Sequence, residues 1–307
     1  MDSVWLVFAS IGASMGHVVQ VMATNPNLAV AAALASGILL RLAGLWRHRA
    51  VSTEVTDTPA AAPSSDPGSA TSAAEENRLA LLVCNGRRSA VREAFRGLRT
   101  QLLLLAEEGA LRSLLVTSAG PGEGKTTVAA NVAIAAAQAG KHVLLVDADL
   151  HRPRLHHVFE QSNSLGLADL LQREGEAELP SKITALIRAT SVPNLALLPA
   201  GVLPRDAREI FEGGITRQVV TTLSAAYDLV VYDTPPVLSV ADPTVLSAYV
   251  DGVLLVIRAG QYPRDAILQA HAELTAVHAK VIGAVLNGVQ VGSGGAYYGH
   301  YQYPYYT

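Results

Sequence analysis

From residue 90 onward the chain alternates between short unbroken apolar runs and stretches with helical spacing. The apolar runs fall at 112–118, 141–147, 194–200, 227–233, 251–259 and 280–287. They are continuous rather than alternating, as expected of strands buried on both faces. Between them, 126–140 reads as a helix ending at Gly140, a residue suited to a helix C-terminus. Further helical stretches cover 205–226, interrupted at Gly213 and Gly214, then 241–250 and 263–279. Strand and helix in this order predict an α/β fold, a doubly wound and mostly parallel sheet.

The N-terminal pattern is different. Residues 3–23 carry no formal charge, the turn-like sequence TNPN follows at 24–27, and a second apolar run covers 28–46 before Arg47 and Arg49. A membrane span needs about 20 apolar residues, and each run just reaches that. Arg41 lies near the end of its run, where its side chain can snorkel to the interface, and Arg47 and Arg49 place that end on the cytoplasmic side. Three readings are open: a two-span hairpin, one span at 28–46, or two helices of a soluble core. A membrane-anchoring segment at 1–49 is the expectation. Residues 50–89 follow, beginning with a Pro-, Ser- and Ala-rich stretch that cannot bury enough surface to order itself, and are read as a flexible linker. The globular α/β domain is assigned to 90–287 and a Gly- and Tyr-rich flexible tail to 288–307.

Composition narrows the picture. Of 307 residues, 50% are hydrophobic and 16% charged, which suits a deeply buried parallel sheet, a membrane segment, or both. A net charge of −3 gives no bulk electrostatic reason to bind nucleic acid. With Cys84 alone, no intrachain disulfide can form and no paired-cysteine metal or redox site exists.

The chemistry begins at 119–127, AGPGEGKTT, placed after an expected strand and at the start of an expected helix. Gly120, Gly122 and Gly124 allow backbone amides to curl around phosphate oxygens, with Pro121 and Glu123 between them. The following helix points its positive end at the same anion. Lys125 is placed to reach the β- and γ-phosphates, Thr126 to offer its hydroxyl to Mg²⁺, and Thr127 completes the nucleotide-binding segment. Ala119 stands where the strict phosphate-loop pattern has Gly. Asp147, Asp149 and Asp233 lie at or just beyond the ends of two strands, where α/β sheets bind ligands. Carboxylates there can hold Mg²⁺ or accept a proton from an incoming hydroxyl. A strand-end Asp otherwise caps a helix or turn.

These segments resemble the bacterial protein-tyrosine kinases of polysaccharide synthesis, also called BY-kinases, of the polysaccharide co-polymerase group. The resemblance covers about 90–307. AGPGEGKTT is similar to that family's Walker A loop, VDADLHRPRLH to its second acidic motif, and VVYDTPPVLSVAD with Pro235-Pro236 to its Walker B region. Glu93, Arg96 and Arg99 match its subunit-contact motif, and the tail matches in composition and place. The resemblance implies an ATP-dependent tyrosine autokinase at the inner membrane, with kinase domain and tail on the cytoplasmic side. Lys125 and Thr126 would bind ATP–Mg²⁺, and Asp147 and Asp149 would serve the metal and activate the hydroxyl. Asp233 would support the metal and its water. Tyr297, Tyr298, Tyr301, Tyr303, Tyr305 and Tyr306 would accept phosphoryl groups, with one subunit's tail entering its neighbour's site in a homo-oligomeric ring. Partners implied are the polysaccharide polymerisation and export machinery and a tyrosine phosphatase, with no nucleic acid. Asn287, ending the last strand, is placed where adenine could lie, a turn role being the alternative.

Two departures bear on this. His151 stands where the family often has Arg two positions after the second Asp, and Arg152 follows it. By spacing alone, Glu93, Arg96 and Arg99 make only weak surface pairs on one helical face. Ten residues separate Asn287 from Tyr297, an r.m.s. span of roughly 16–19 Å, so the tail reaches its own site or a neighbour's. Six phosphotyrosines add roughly 9–12 negative charges, enough to drive assembled tails apart. Two other functions compete. A partitioning-type positioning ATPase shares the fold, but its signature Lys would fall at Gly120, and it has no tyrosine tail. A nucleotide-bound membrane scaffold without catalysis has only His151 in its favour.

Overall fold

A computed structural model describes residues 4–9, 90–107, 109–172, 179–202 and 210–289. The linker and all six tail tyrosines lie outside the described residues, as do residues 10–23 and 28–46 of the two apolar runs.

Eight strands form one sheet: β1 Val4–Ala9, β2 Ser113–Ser118, β3 Val143–Asp147, β4 Arg188–Ala189, β5 Leu195–Leu198, β6 Leu229–Asp233, β7 Gly252–Arg258 and β8 Val281–Val289. Their order is β1-β8-β7-β2-β6-β3-β5-β4. The six central strands, β8 to β5, run parallel, and the two edge strands, β1 and β4, pair antiparallel. Each of the six apolar runs forms one of the parallel strands. The helices are α1 Ala90–Glu107, α2 Lys125–Gln138, α3 Leu155–Val158, α4 Leu167–Leu171, α5 Leu179–Leu186, α6 Gly214–Ala226, α7 Asp242–Ser247 and α8 Arg264–Ala276.

Alternate strand residues feed two cores, one on each face of the sheet. On one face Leu114, Val116, Leu145, Val231 and Val256 pack with Phe95 and Leu98 of α1 and with α2. Val128, Val132 and Ile134 punctuate an otherwise Ala-rich α2. Its small side chains are buried almost all round, because α2 packs against both the sheet and α1. On the other face Leu115, Leu144, Val230, Tyr232 and Leu255 pack with Val219 and Leu223 of α6 and Ile267 and Leu274 of α8. Helix α2 ends where Gly140, at φ +87°, turns left-handed, as its position in the sequence predicts.

At the N-terminus the structure differs from the helix expected over 3–23. Val4–Ala9 pairs antiparallel with β8, from Val4 opposite Val289 to Ala9 opposite Gly283, with a bulge between Val4 and Leu6. VWLVFA is rich in β-branched and aromatic residues, and the free edge of β8 offers unpaired ladder groups. Among the described residues no helix is long and apolar enough to cross a membrane.

Candidate active site

The sheet order brings the predicted site together. β2 lies at the centre, with β6 and then β3 on one side and β7 and then β8 on the other. The phosphate loop leaves the carboxyl end of β2. Asp233 ends β6 opposite Val116, and Asp147 ends β3 directly opposite Asp233. The chain passes from β2 to β3 on one side while β7 lies on the other, so the loop sits at a topological switch point.

The carbonyls of Gly120 to Glu123 are each held by a side chain. Ser118 Oγ donates to Gly120 O at 2.7 Å. Gln261 Nε2 and Tyr262 Oη donate to Pro121 O at 2.7 and 3.3 Å. Arg258 Nη1 donates to Gly122 O at 3.1 Å, and Asn287 Nδ2 to Glu123 O at 2.8 Å. The Val128 N–H donates to Gly124 O at 2.9 Å, opening α2. In a trans peptide the next N–H points opposite to the carbonyl, so these ties turn the amides of Gly122, Glu123, Gly124 and Lys125 away from the supports. Gly122 and Gly124 accept left-handed φ values of +79° and +94° to make this curl.

Glu123 is fully buried and braces the loop. Its Oε1 accepts the Gly120 N–H at 2.7 Å and its Oε2 the Arg258 N–H at 3.0 Å. Burial raises its pKa above the ordinary carboxylate range, against those bonds and the charge of Lys125. Gly120 is required for a different reason than its neighbours: a Cβ there would enter the ring of Tyr262.

The acidic side is arranged otherwise. Asp147 Oδ2 accepts the N–H groups of Arg154 and Leu155 at 3.1 and 3.0 Å, tying β3 to the start of α3. Its Oδ1 and both carboxylate oxygens of Asp233 are buried without a hydrogen bond of good geometry, although the Thr126 hydroxyl lies close enough to Asp233 to favour its charge. Burial raises Asp147 well above its usual range, and the charge of Asp233 adds to it. Burial pushes Asp233 up to about 7, with the Thr126 hydroxyl and Lys125 opposing. Lys125 is buried too, and desolvation lowers its pKa, while Asp233, Asp149 and Glu123 favour its charge. Asp149 is partly exposed beside them, its Oδ1 accepting the Arg152 N–H at 2.9 Å.

Buried carboxylate oxygens without donors are costly, so this pocket suits a cation. Among the described residues no three His, Cys, Asp or Glu side chains form a chelating group. Mg²⁺ keeps waters and takes one or two carboxylates plus phosphate oxygens. The residues therefore fit Mg²⁺ held with a nucleotide: Thr126, Asp233 and Asp147 beside the phosphate loop.

Asn287 directs its amide to the Glu123 carbonyl, so in this geometry it supports the loop. Arg96 and Arg99 line a cleft of about 260 Å³ with Arg92, Ala135 and Gln138, between α1 and α2. The Glu93 side chain lies outside the described residues. Four tyrosines precede the tail, and Tyr232 among them is fully buried beside Asp233, its hydroxyl without a partner and its pKa raised by burial. Arg258, Gln261, Tyr262 and Asp242 were not expected. Asp242 accepts from His151, Nε2 to Oδ2 at 2.9 Å. The one local signal for it is its place before Pro243 at a helix start.

Fold and site together define a phosphate-loop nucleotide-binding protein with an acidic, metal-ready pocket. A family model described as an AAA domain matches residues 114–284. Tyrosine-protein kinase YwqD of Bacillus subtilis is 35% identical over 70% of this chain and 85% of its own length. The putative tyrosine-protein kinase CapB of Staphylococcus aureus is 33% identical over 70% of this chain and 91% of its own. The kinase domain of the Escherichia coli tyrosine kinase ETK superposes with a TM-score of 0.64 at 31% identity, over 71% of this chain and 83% of that one. The chain belongs to the bacterial tyrosine-protein kinases, enzymes that transfer a phosphoryl group to tyrosine.

Proposed function

We propose that this chain is an ATP- and Mg²⁺-dependent tyrosine autokinase whose acceptors are the tail tyrosines of a neighbouring copy. The observation that carries the reading is the meeting of a pre-shaped phosphate loop with buried carboxylate oxygens that lack well-formed hydrogen bonds at adjacent strand ends. Loop amides and Lys125 hold the β- and γ-phosphates and offset charge on the transferred group. Thr126, Asp233 and Asp147 hold Mg²⁺, which when bound neutralises phosphate charge. Asp149, the most accessible of the three aspartates, takes the proton of the tyrosine hydroxyl. The tyrosine oxygen bonds to the γ-phosphorus, the bond to the β–γ bridging oxygen breaks, and ADP leaves.

The arginines of the α1–α2 cleft, with Glu93, fit a contact between copies, and tail phosphorylation adds the repulsion that loosens it. The apolar run at 28–46 with Arg47 and Arg49 supports attachment to the cytoplasmic membrane. Names such as EpsB, a putative tyrosine-protein kinase of Ralstonia solanacearum that this chain covers over 28% of its length, point to larger relatives. Regulation of capsule or exopolysaccharide polymerisation and export is the cellular role we assign, with a tyrosine phosphatase resetting the tail.

The test is intact mass after incubation with Mg-ATP. Phosphate gain that maps to 297–306 and vanishes in Lys125→Met is expected. Its absence from folded, nucleotide-binding protein overturns the proposal. Mixing Lys125→Met chains with chains lacking 288–307 tests transfer between copies, since only a neighbour's site can then label a tail.

A further inference from the structure

We infer that His151 is a positioning residue for Asp149, acting through a bridge to Asp242 that ties the two acidic loops together. The inference rests on the reading that Asp149 receives the tyrosine proton. Asp149 lies in the turn that leaves β3. Before it, the Ala148 N–H donates to Asp233 O at 2.8 Å, fixing the backbone to the end of β6. After it, the Arg152 N–H returns to Asp149 Oδ1 at 2.9 Å and closes the turn over 149–152. His151 sits within that turn, and its Nε2 reaches Asp242 Oδ2 at 2.9 Å, 91 positions away in sequence.

The anchor is firm. Asp242 opens α7 with Pro243 behind it, Leu246 is buried in the core, and α7 packs against β2, the strand that feeds the phosphate loop. The Asp242 side chain is 11% exposed against 40% for His151, so the carboxylate is the desolvated partner and needs a donor. A neutral imidazole with its proton on Nε2 supplies one, so the bridge needs no histidine charge. Its geometric effect is to hold the Asp149 turn against the loop that follows Asp233. Lys125 and Asp233 then meet the proton acceptor in one arrangement, and a loosened turn misplaces that acceptor without touching the phosphate loop.

The experiment measures tail labelling at saturating Mg-ATP, with nucleotide affinity and melting temperature beside it. His151→Ala and Asp242→Ala should each lower the labelling rate about ten- to a hundredfold while nucleotide affinity stays within about threefold, the signature of lost positioning. The double variant should be no slower than either single one, because both remove the same bridge. His151→Gln should restore most of the rate, since its amide places a donor near the site of Nε2. A wild-type rate in His151→Ala, multiplying losses in the double variant, or failure of Gln to restore the rate overturns the inference. So does a fall in nucleotide affinity as large as the fall in rate. Asp149→Ala separates the two levels. Loss of labelling there with a wild-type rate in His151→Ala removes only the positioning role. Normal labelling in Asp149→Ala removes the proton-acceptor reading and the positioning role with it.

Discussion

The phosphate loop and the acidic strand ends lie side by side at one end of the sheet, yet they are finished to different degrees. In the loop, the carbonyls of Gly120, Pro121, Gly122 and Glu123 all accept side-chain donors, and Gly124 O accepts the first α2 bond. On the acidic side, three carboxylate oxygens of Asp147 and Asp233 are buried without a well-formed hydrogen bond. The loop needs nothing from a ligand to hold its shape. The acidic pair is a standing electrostatic cost, which in the proposed function Mg-nucleotide would relieve. Pre-organisation and stored electrostatic cost therefore occupy neighbouring strands.

Variants at Lys125 should break this contrast most severely. Lys125→Met removes the cation that serves both sides, and phosphoryl transfer should fall by about 10²–10³-fold or more, read as tail labelling by intact mass. Asp233→Asn comes next and should move activity and stability in opposite directions. The folded protein holds Asp233 up to about 7 while an unfolded Asp titrates near 4, so between those values the folded state binds more protons. Stability of the nucleotide-free protein is then highest below about pH 4 as far as this group is concerned, and falls as pH rises to about 7. Asn should flatten that fall and raise the melting temperature of the free protein at pH 8, while labelling drops. Mg-nucleotide should stabilise the wild type more at pH 8 than at pH 5.5. Equal stabilisation at both would show that the acidic pair carries no such cost.

The finished side was partly legible in the sequence because its glycines, Lys125 and Thr126 sit in one local stretch. The six parallel strands were legible because each is an unbroken apolar run between turn residues. Asp147 and Asp233 could be placed because strand ends follow from strand positions. The supports were not legible: Arg258, Gln261 and Tyr262 act 136 to 141 positions from their partners, and only the β7-β2 adjacency brings them there. The two-residue β4 and the short helices α3 to α5 carry too little periodicity to stand out. β1 was hidden differently, since an apolar stretch of β-branched and aromatic residues satisfies the membrane pattern and the strand pattern alike.

Smaller effects probe the supports of the loop. Gly120→Ala drives a Cβ into the Tyr262 ring, and overpacking of this kind costs about 1–3 kcal/mol. Nucleotide affinity should fall, and Tyr262→Ala in the same chain should recover most of it, since the obstruction is a side chain. Glu123→Gln keeps one acceptor for the two N–H groups of Gly120 and Arg258 and should cost about 1–3 kcal/mol, the penalty for one unsatisfied buried donor.

Gln261→Ala should have the smallest consequence and discriminates best between a shared support and a single critical tie. Gln261 Nε2 and Tyr262 Oη both donate to Pro121 O, at 2.7 and 3.3 Å, so removing the amide leaves that carbonyl with a donor. A loss of about 0.5–1 kcal/mol in nucleotide binding is expected, the net worth of one exposed hydrogen bond. Removing Gln261 and Tyr262 together leaves Pro121 O unheld, and the combined loss should exceed the sum of the single ones. Strict additivity in calorimetric titration would mean that the two donors act independently, and that the loop keeps its curl from Glu123, Asn287 and Arg258 alone.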